Sequence, residues 1–234
     1  MLRDRSISLS STRWPRVLFF TRLFTLKPGC LARSRTSSLE TIFWAEPDLT
    51  GQRLPQDLVW LKESLVNNRG LQRVGIFRVS GETKEVEEYW NYLNMQQFER
   101  ILTCQEPIIC ANLICRWFRH IGELSDRPIL AAWKPSLIKK IVSLNIDGRH
   151  LIRLLEDELT LKEQVVLSWL AELIEDVSSY ESVNLMSRES MVTIFFPSLQ
   201  KIDGRTHPEG FESPRLLKQV FHKYLMVKQG LTYL

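Results

Sequence analysis

Beyond residue 54, apolar side chains recur at three- and four-residue spacing, the period of helices with one buried face. Leu58, Leu61 and Leu65 form such a face after Leu54-Pro55, and Gly70 is the expected stop. A second run places Val86, Tyr89, Trp90 and Leu93 together, with Lys84, Glu85, Glu87 and Glu88 mostly opposite. Residues 107–121 are the most apolar, carrying Ile108, Ile109, Leu113, Ile114, Trp117, Phe118 and Ile121, with Gly122 as the predicted end. A helix apolar on most sides belongs at a domain centre. Arg119 within it therefore needs a water-exposed edge or a charged partner. Further helices are predicted over 136–145 and 149–158, divided by Asp147-Gly148, and over 161–178, where Val165, Val166, Trp169, Leu170, Leu173, Ile174 and Val177 face inward. Residues 187–196 make another apolar stretch closed by Pro197, and a last helix opens at Pro214 behind Ser213. No segment sustains a period of two. The expectation is an all-α fold, a globular bundle of about eight or nine helices.

Between the first two helical patterns lies Gly75-Ile76-Phe77-Arg78-Val79-Ser80-Gly81. Gly75 lets the backbone leave the preceding helix, and the Ser80 hydroxyl is placed to cap the next. Ile76 and Phe77 anchor the turn on a core and leave Arg78 pointing outward. A guanidinium on a stiff turn suits stabilisation of phosphate charge, being always ionised and forked. An ordinary solvated surface arginine is the plainer alternative.

Charge is unevenly spread. Residues 1–40 hold eight Lys or Arg against Asp4 and Glu40, so a chain of net charge +4 has a slightly acidic remainder. That remainder gives no footing for nucleic-acid binding. The first 40 residues are a basic, Ser- and Arg-rich leader broken by Pro15 and Pro28, and 41–234 the helical domain. The leader has three readings: disordered segment, organelle transit peptide, or membrane-surface segment. No apolar run reaches the roughly 20 residues of a membrane helix. Four cysteines without a Cys-x-x-Cys pair point to buried, reduced thiols, and the four scattered histidines make no metal-ligand pattern. A cytoplasmic setting is the expectation, with the transit peptide as alternative. Trp60, Trp90, Trp117, Trp133 and Trp169 fall in helical patterns and are expected in the core or a groove.

In this order the pieces resemble a Rho GTPase-activating (RhoGAP) domain, over about residues 41–230. The segment 75–81 is similar to that family's most specific motif, which makes Arg78 the counterpart of its arginine finger. Leu54-Pro55 opens the helix before it. Ile114 to Ile121 looks like the family's Leu-Lys-x-x-x-Arg-Glu-Leu-Pro helix, and Pro128-Ile129-Leu130 like its Pro-Leu-Ile. Asn184-Leu185-Met186-Ser187 and Ile194-Phe195-Phe196-Pro197-Ser198-Leu199 resemble its Asn-Lys-Met-Thr and Val-Phe-Gly-Pro-x-Leu block. The resemblance implies an activator of GTP hydrolysis that acts on a GTP-bound Rho-family small GTPase by inserting Arg78 in trans. It also implies that GTP and magnesium belong to the partner, the chain needing no metal or cofactor of its own. Gly75, Ser80, Arg119, Asn184, Ser190 and Pro197 are then the expected GTPase-binding residues. Membrane contact is expected only indirectly or through the leader.

Departures from the family pattern bear on that expectation. Cys115 stands where the Lys one turn before Arg119 is usual, and Arg116 points about 100° away round the helix. His120-Ile121-Gly122 replaces Glu-Leu-Pro, Ser190 replaces an Asn, and Phe196 replaces the Gly before Pro197. A second expectation follows from them: a RhoGAP-like module that binds GTP-bound GTPases or other partners with weak activation.

Overall fold

In the computed structural model the described residues are 42, 44, 45, 53–124, 128–143, 146–200 and 212–230. The basic leader lies outside them. They form α1 (Gln56–Asn67), α2 (Thr83–Asn94), α3 (Phe98–Leu102), α4 (Pro107–Leu124), α5 (Pro135–Ser143), α6 (Gly148–Glu156), α7 (Leu161–Ser178), α8 (Glu181–Asn184), α9 (Arg188–Leu199) and α10 (Glu212–Lys228). Two short 3-10 turns, Gly70–Gln72 and Ile129–Ala132, complete the order. The all-α expectation holds; the sole extended pairing among the described residues is a Trp44–Pro55 bridge. The short α3 and α8 bring the described helices to ten.

α4 is the central element, packed on α1, α2 and α9, as its nearly continuous apolar sequence requires. Leu113, Ile114, Trp117 and Phe118 are all buried along it. α7 packs on α9 and also meets α4 through Phe118 and Trp169 and α1 through the Lys62–Asp176 pair, and α10 covers α5 and α6. A capping box fixes the start of α7: the Thr160 hydroxyl accepts from Glu163 N–H, and the Glu163 carboxylate from Thr160 N–H. Cys104 and Cys110 are buried free thiols, as expected. Trp133 is buried but lies just past a 3-10 turn rather than in a helix, and its indole N–H donates to Leu155 O at 3.0 Å.

Several predicted boundaries move for physical reasons. α1 stops at Asn67 because Arg69, not Gly70, takes the left-handed conformation (φ 55°). Pro197 does not end α9: it sits in the last turn, and the helix runs on to Leu199. Gly122 does not end α4 either. A Cβ built there would lie 2.5 Å from the carbonyl oxygen of Ser198, so the glycine is where α4 and α9 cross closely. Gly→Ala inside a helix ordinarily stabilises by about 1 kcal/mol. Gly122→Ala is expected to reverse that sign and cost about 1–3 kcal/mol, read as a lowered urea midpoint.

Asp57, in the first turn of α1, accepts a hydrogen bond from the Trp117 indole at 3.1 Å. Burial pushes its carboxyl up to about 6 from 3.8, with the indole pulling weakly the other way. Between those two values the folded chain binds more protons than the unfolded one. Stability contributed here is therefore present at the acid end and falls as pH rises towards about 6. Asp57→Asn keeps an acceptor for Trp117 and removes the buried charge. It is expected to stabilise the fold by about 1–3 kcal/mol near neutral pH and by nothing near pH 4. Urea midpoints at the two pH values check it.

Candidate functional site

The segment around Arg78 folds as a tight turn because its apolar residues go in and its backbone is tied down. Gly75 takes φ 67°, a conformation costly for other residues, and its N–H donates to Asn184 O at 2.8 Å. Arg78 N–H and Val79 N–H both donate to Gly75 O, at 2.7 and 2.9 Å. Ile76 and Phe77 are buried, and the Phe77 ring lies 5.7 Å from that of Phe195 on α9. Phe195 in turn meets Phe118 of α4, which meets Trp169 of α7. An aromatic ladder thus runs from the turn into the core. On the other flank, the Asn112 side-chain amide of α4 donates to Val79 O at 3.1 Å and to Ile108 O at 2.7 Å.

Arg78 closes this turn and is exposed. Among the described residues no carboxylate pairs with its guanidinium. Arg119 is likewise exposed, with no carboxylate partner among them, which meets its sequence requirement for a wet edge. It lies seven positions beyond Asn112 on α4, within about 20° of the same face and about 10 Å along the axis. The turn, Asn112 and Arg119 therefore line one edge of α4. Cys115 lies between them; burial pushes its thiol up to about 12, with Arg119 acting weakly in the opposite direction, so it is neutral at ordinary pH. Arg116 cannot stand in for a second cation. It pairs with Glu87 at 2.6 Å and lies 4.7 Å from the Trp90 ring centroid, braced against α2.

The other expected site residues divide. Pro197 is exposed, and it shares a face of α9 with Ser190 two turns earlier. Ser190 is half-buried in the first turn of α9. Its N–H donates to the Ser187 hydroxyl and its own hydroxyl lies 3.1 Å from the same atom, so it completes the helix cap. Ser80 is exposed but does not cap α2, whose N-cap is Glu82 without a side-chain bond. A Cβ built on Gly81 would lie 3.2 Å from Val86 and within 3.7 Å of Ile108 and Ile109, so the chain passes close to α4 before it turns helical.

Two of the expected contact residues lie beneath the surface. Gly75 is buried and shapes the turn from beneath. Asn184 is fully buried: its amide donates to Leu71 O and Val177 O, both at 2.7 Å, and its carbonyl oxygen accepts from Met186 N–H at 2.7 Å. With its hydrogen-bonding groups so engaged, it is a positioning residue that ties the end of α7 and the start of α9 to the backbone under Arg78. Asn112 and Phe195 were missed as site elements. The signal for Asn112 was there, as the one amide within an apolar helical run. Among the described residues no group of three or more His, Cys, Asp or Glu is arranged to hold a metal, and no helix is long and apolar enough to cross a membrane.

Residues 57–203 match the family model described as the RhoGAP domain. Rho GTPase-activating protein gacA of Dictyostelium discoideum is 29% identical over 178 residues, covering 76% of this chain and 49% of that protein. Rho GTPase-activating protein 1 of Arabidopsis thaliana is 29% identical over 158 residues, covering 67% of this chain and 31% of its own. The chain thus spans about half or less of the length of these curated relatives. The crystal structure of the BH domain from GRAF, the GTPase regulator associated with focal adhesion kinase, shares the fold: TM-score 0.55 at 16% identity, over 75% of this chain and 93% of that one. With most of the helical part matched by the family model and the same fold in a solved relative, this chain belongs to the RhoGAP domain family.

Proposed function

We propose that this chain accelerates GTP hydrolysis by a Rho-family small GTPase, with Arg78 entering the partner's nucleotide site. The observation that carries this is an exposed guanidinium, without a carboxylate partner among the described residues, on a turn tied to Asn184 and backed by Phe195. Hydrolysis spreads negative charge over the γ-phosphoryl oxygens and the leaving oxygen. A cation placed there in trans lowers the barrier without forming or breaking any bond of its own. The nucleotide and its magnesium are brought by the partner, and the chain is an activator rather than an enzyme with its own turnover. Arg119 adds positive potential along the same edge.

The test is single-turnover GTP hydrolysis by a panel of Rho-family GTPases with and without the full chain. Acceleration of at least one by about 10³–10⁵ is expected. Acceleration of none overturns the proposal.

Cys115 favours a second reading, since a neutral thiol stands where a cation beside the turn would add to the field, and Arg116 is engaged elsewhere. In that reading the chain holds the GTP-bound partner with little activation. Binding to an analogue-loaded GTPase without any change in turnover would select it.

A further inference from the structure

Four of the eight exposed large aliphatic or Met side chains among the described residues fall on two short segments beside Arg78: Val74 (57% exposed), Val79 (46%), Val183 (51%) and Leu185 (59%). The segments are joined by the Gly75 N–H to Asn184 O bond, so Val74 and Leu185 are each next in sequence to one bonded residue, and Val79 follows Arg78. Leu185 carries a second peculiarity. It takes φ 59° and ψ 29°, the left-handed region that suits glycine or asparagine and strains a leucine. The left-handed backbone closes α8, with Leu185 N–H donating to Glu181 O, but that role suits glycine or asparagine and does not call for a leucine whose side chain buries little in the free domain. Strain held beside a functional turn points to use by a partner.

Resting on the function proposed above, we propose that Val74, Val79, Val183 and Leu185 form an apolar rim that docks on an apolar surface of the GTPase beside its nucleotide site, with Leu185 setting affinity. One hydrogen bond holds the segments of Val74 and Leu185 together a few residues from Arg78, where a surface that receives the guanidinium is expected to meet them. Aliphatic area that loses its water on docking drives association without directional demands, while the guanidinium acts on the transition state. The rim therefore governs KM, and Arg78 governs kcat.

The experiment uses the full chain and the GTPase it accelerates most. Leu185→Asn removes the aliphatic surface and suits the left-handed backbone, so the fold is expected to be kept, with a thermal melt at or above the wild-type midpoint. KM is expected to rise about tenfold to a hundredfold with kcat within twofold, and Val183→Ser should act in the same direction. An unchanged KM with an active wild type overturns the rim and leaves the proposed function standing. If the wild type accelerates no GTPase, titration against GTPase loaded with a non-hydrolysable GTP analogue decides. Weaker binding by Leu185→Asn supports the rim, and equal or absent binding overturns it. Sedimentation covers the remaining occupant: self-association lost in Leu185→Asn at unchanged KM assigns the patch to a second copy of this chain and overturns the proposal.

Discussion

Arg78→Ala should remove nearly all stimulated GTP hydrolysis, a loss of about 10³–10⁵ in kcat, or roughly 4–7 kcal/mol of barrier. The size follows from the proposed function: a guanidinium that enters the partner's nucleotide site would have no replacement within reach. Arg116 is held on Glu87 and Trp90, Cys115 is uncharged, and Arg119 lies about 10 Å along α4 from the amide that braces the turn. Folding should be untouched, because Arg78 is exposed and no carboxylate among the described residues depends on it. The thermal midpoint should match wild type, as should affinity for an analogue-loaded GTPase. Arg78→Lys should fare little better than Ala, since an ammonium lacks the planar fork. Hydrolysis by Arg78→Ala at the wild-type rate would show that the acceleration has another source.

Asn184→Ala should strike stability and activation together. Its side chain answers two carbonyls and one N–H, and truncation removes this partner from Leu71 O and Met186 N–H, while Val177 O keeps the Tyr180 N–H. Loss of such a buried network costs about 3–5 kcal/mol. Asn184→Asp is the sharper variant, since it keeps the shape but turns the two donors into an oxygen facing the carbonyls of Leu71 and Val177. Both should lower the urea midpoint and reduce kcat even at temperatures where the domain remains folded. The contrast with Arg78→Ala, which leaves the midpoint alone, separates a residue that holds the turn from the one that uses it. A folded Asn184→Asp with full activity would mean that the turn needs no such support.

The Arg78 turn, the inward Ile76 and Phe77, and the most apolar helix were legible because each depends on local pattern: periodicity, a glycine, an isolated cation. What escaped depends on partners distant in sequence. Asn184 was expected to contact the GTPase, since nothing near it announces that its amide reaches Leu71, 113 residues away. Gly122 was expected to end α4, because a helix stop and a close crossing draw on the same residue type. Only the Ser198 carbonyl against it tells them apart. Ser80 was expected to cap α2, but the chain stays extended to Glu82 and the helix begins at Thr83. α3 was too short to show a period.

The Gly122 crossing has a bearing on shape as well as on stability. Arg119 stands three residues before it on one helix, and Pro197 is next in sequence to the carbonyl that touches it on the other. The spacing between these two walls is thus calibrated by a missing side chain, at the very level where a docking protein would feel it. A single methyl group wedged there would act as a shim, prising the walls apart while every surface residue kept its identity.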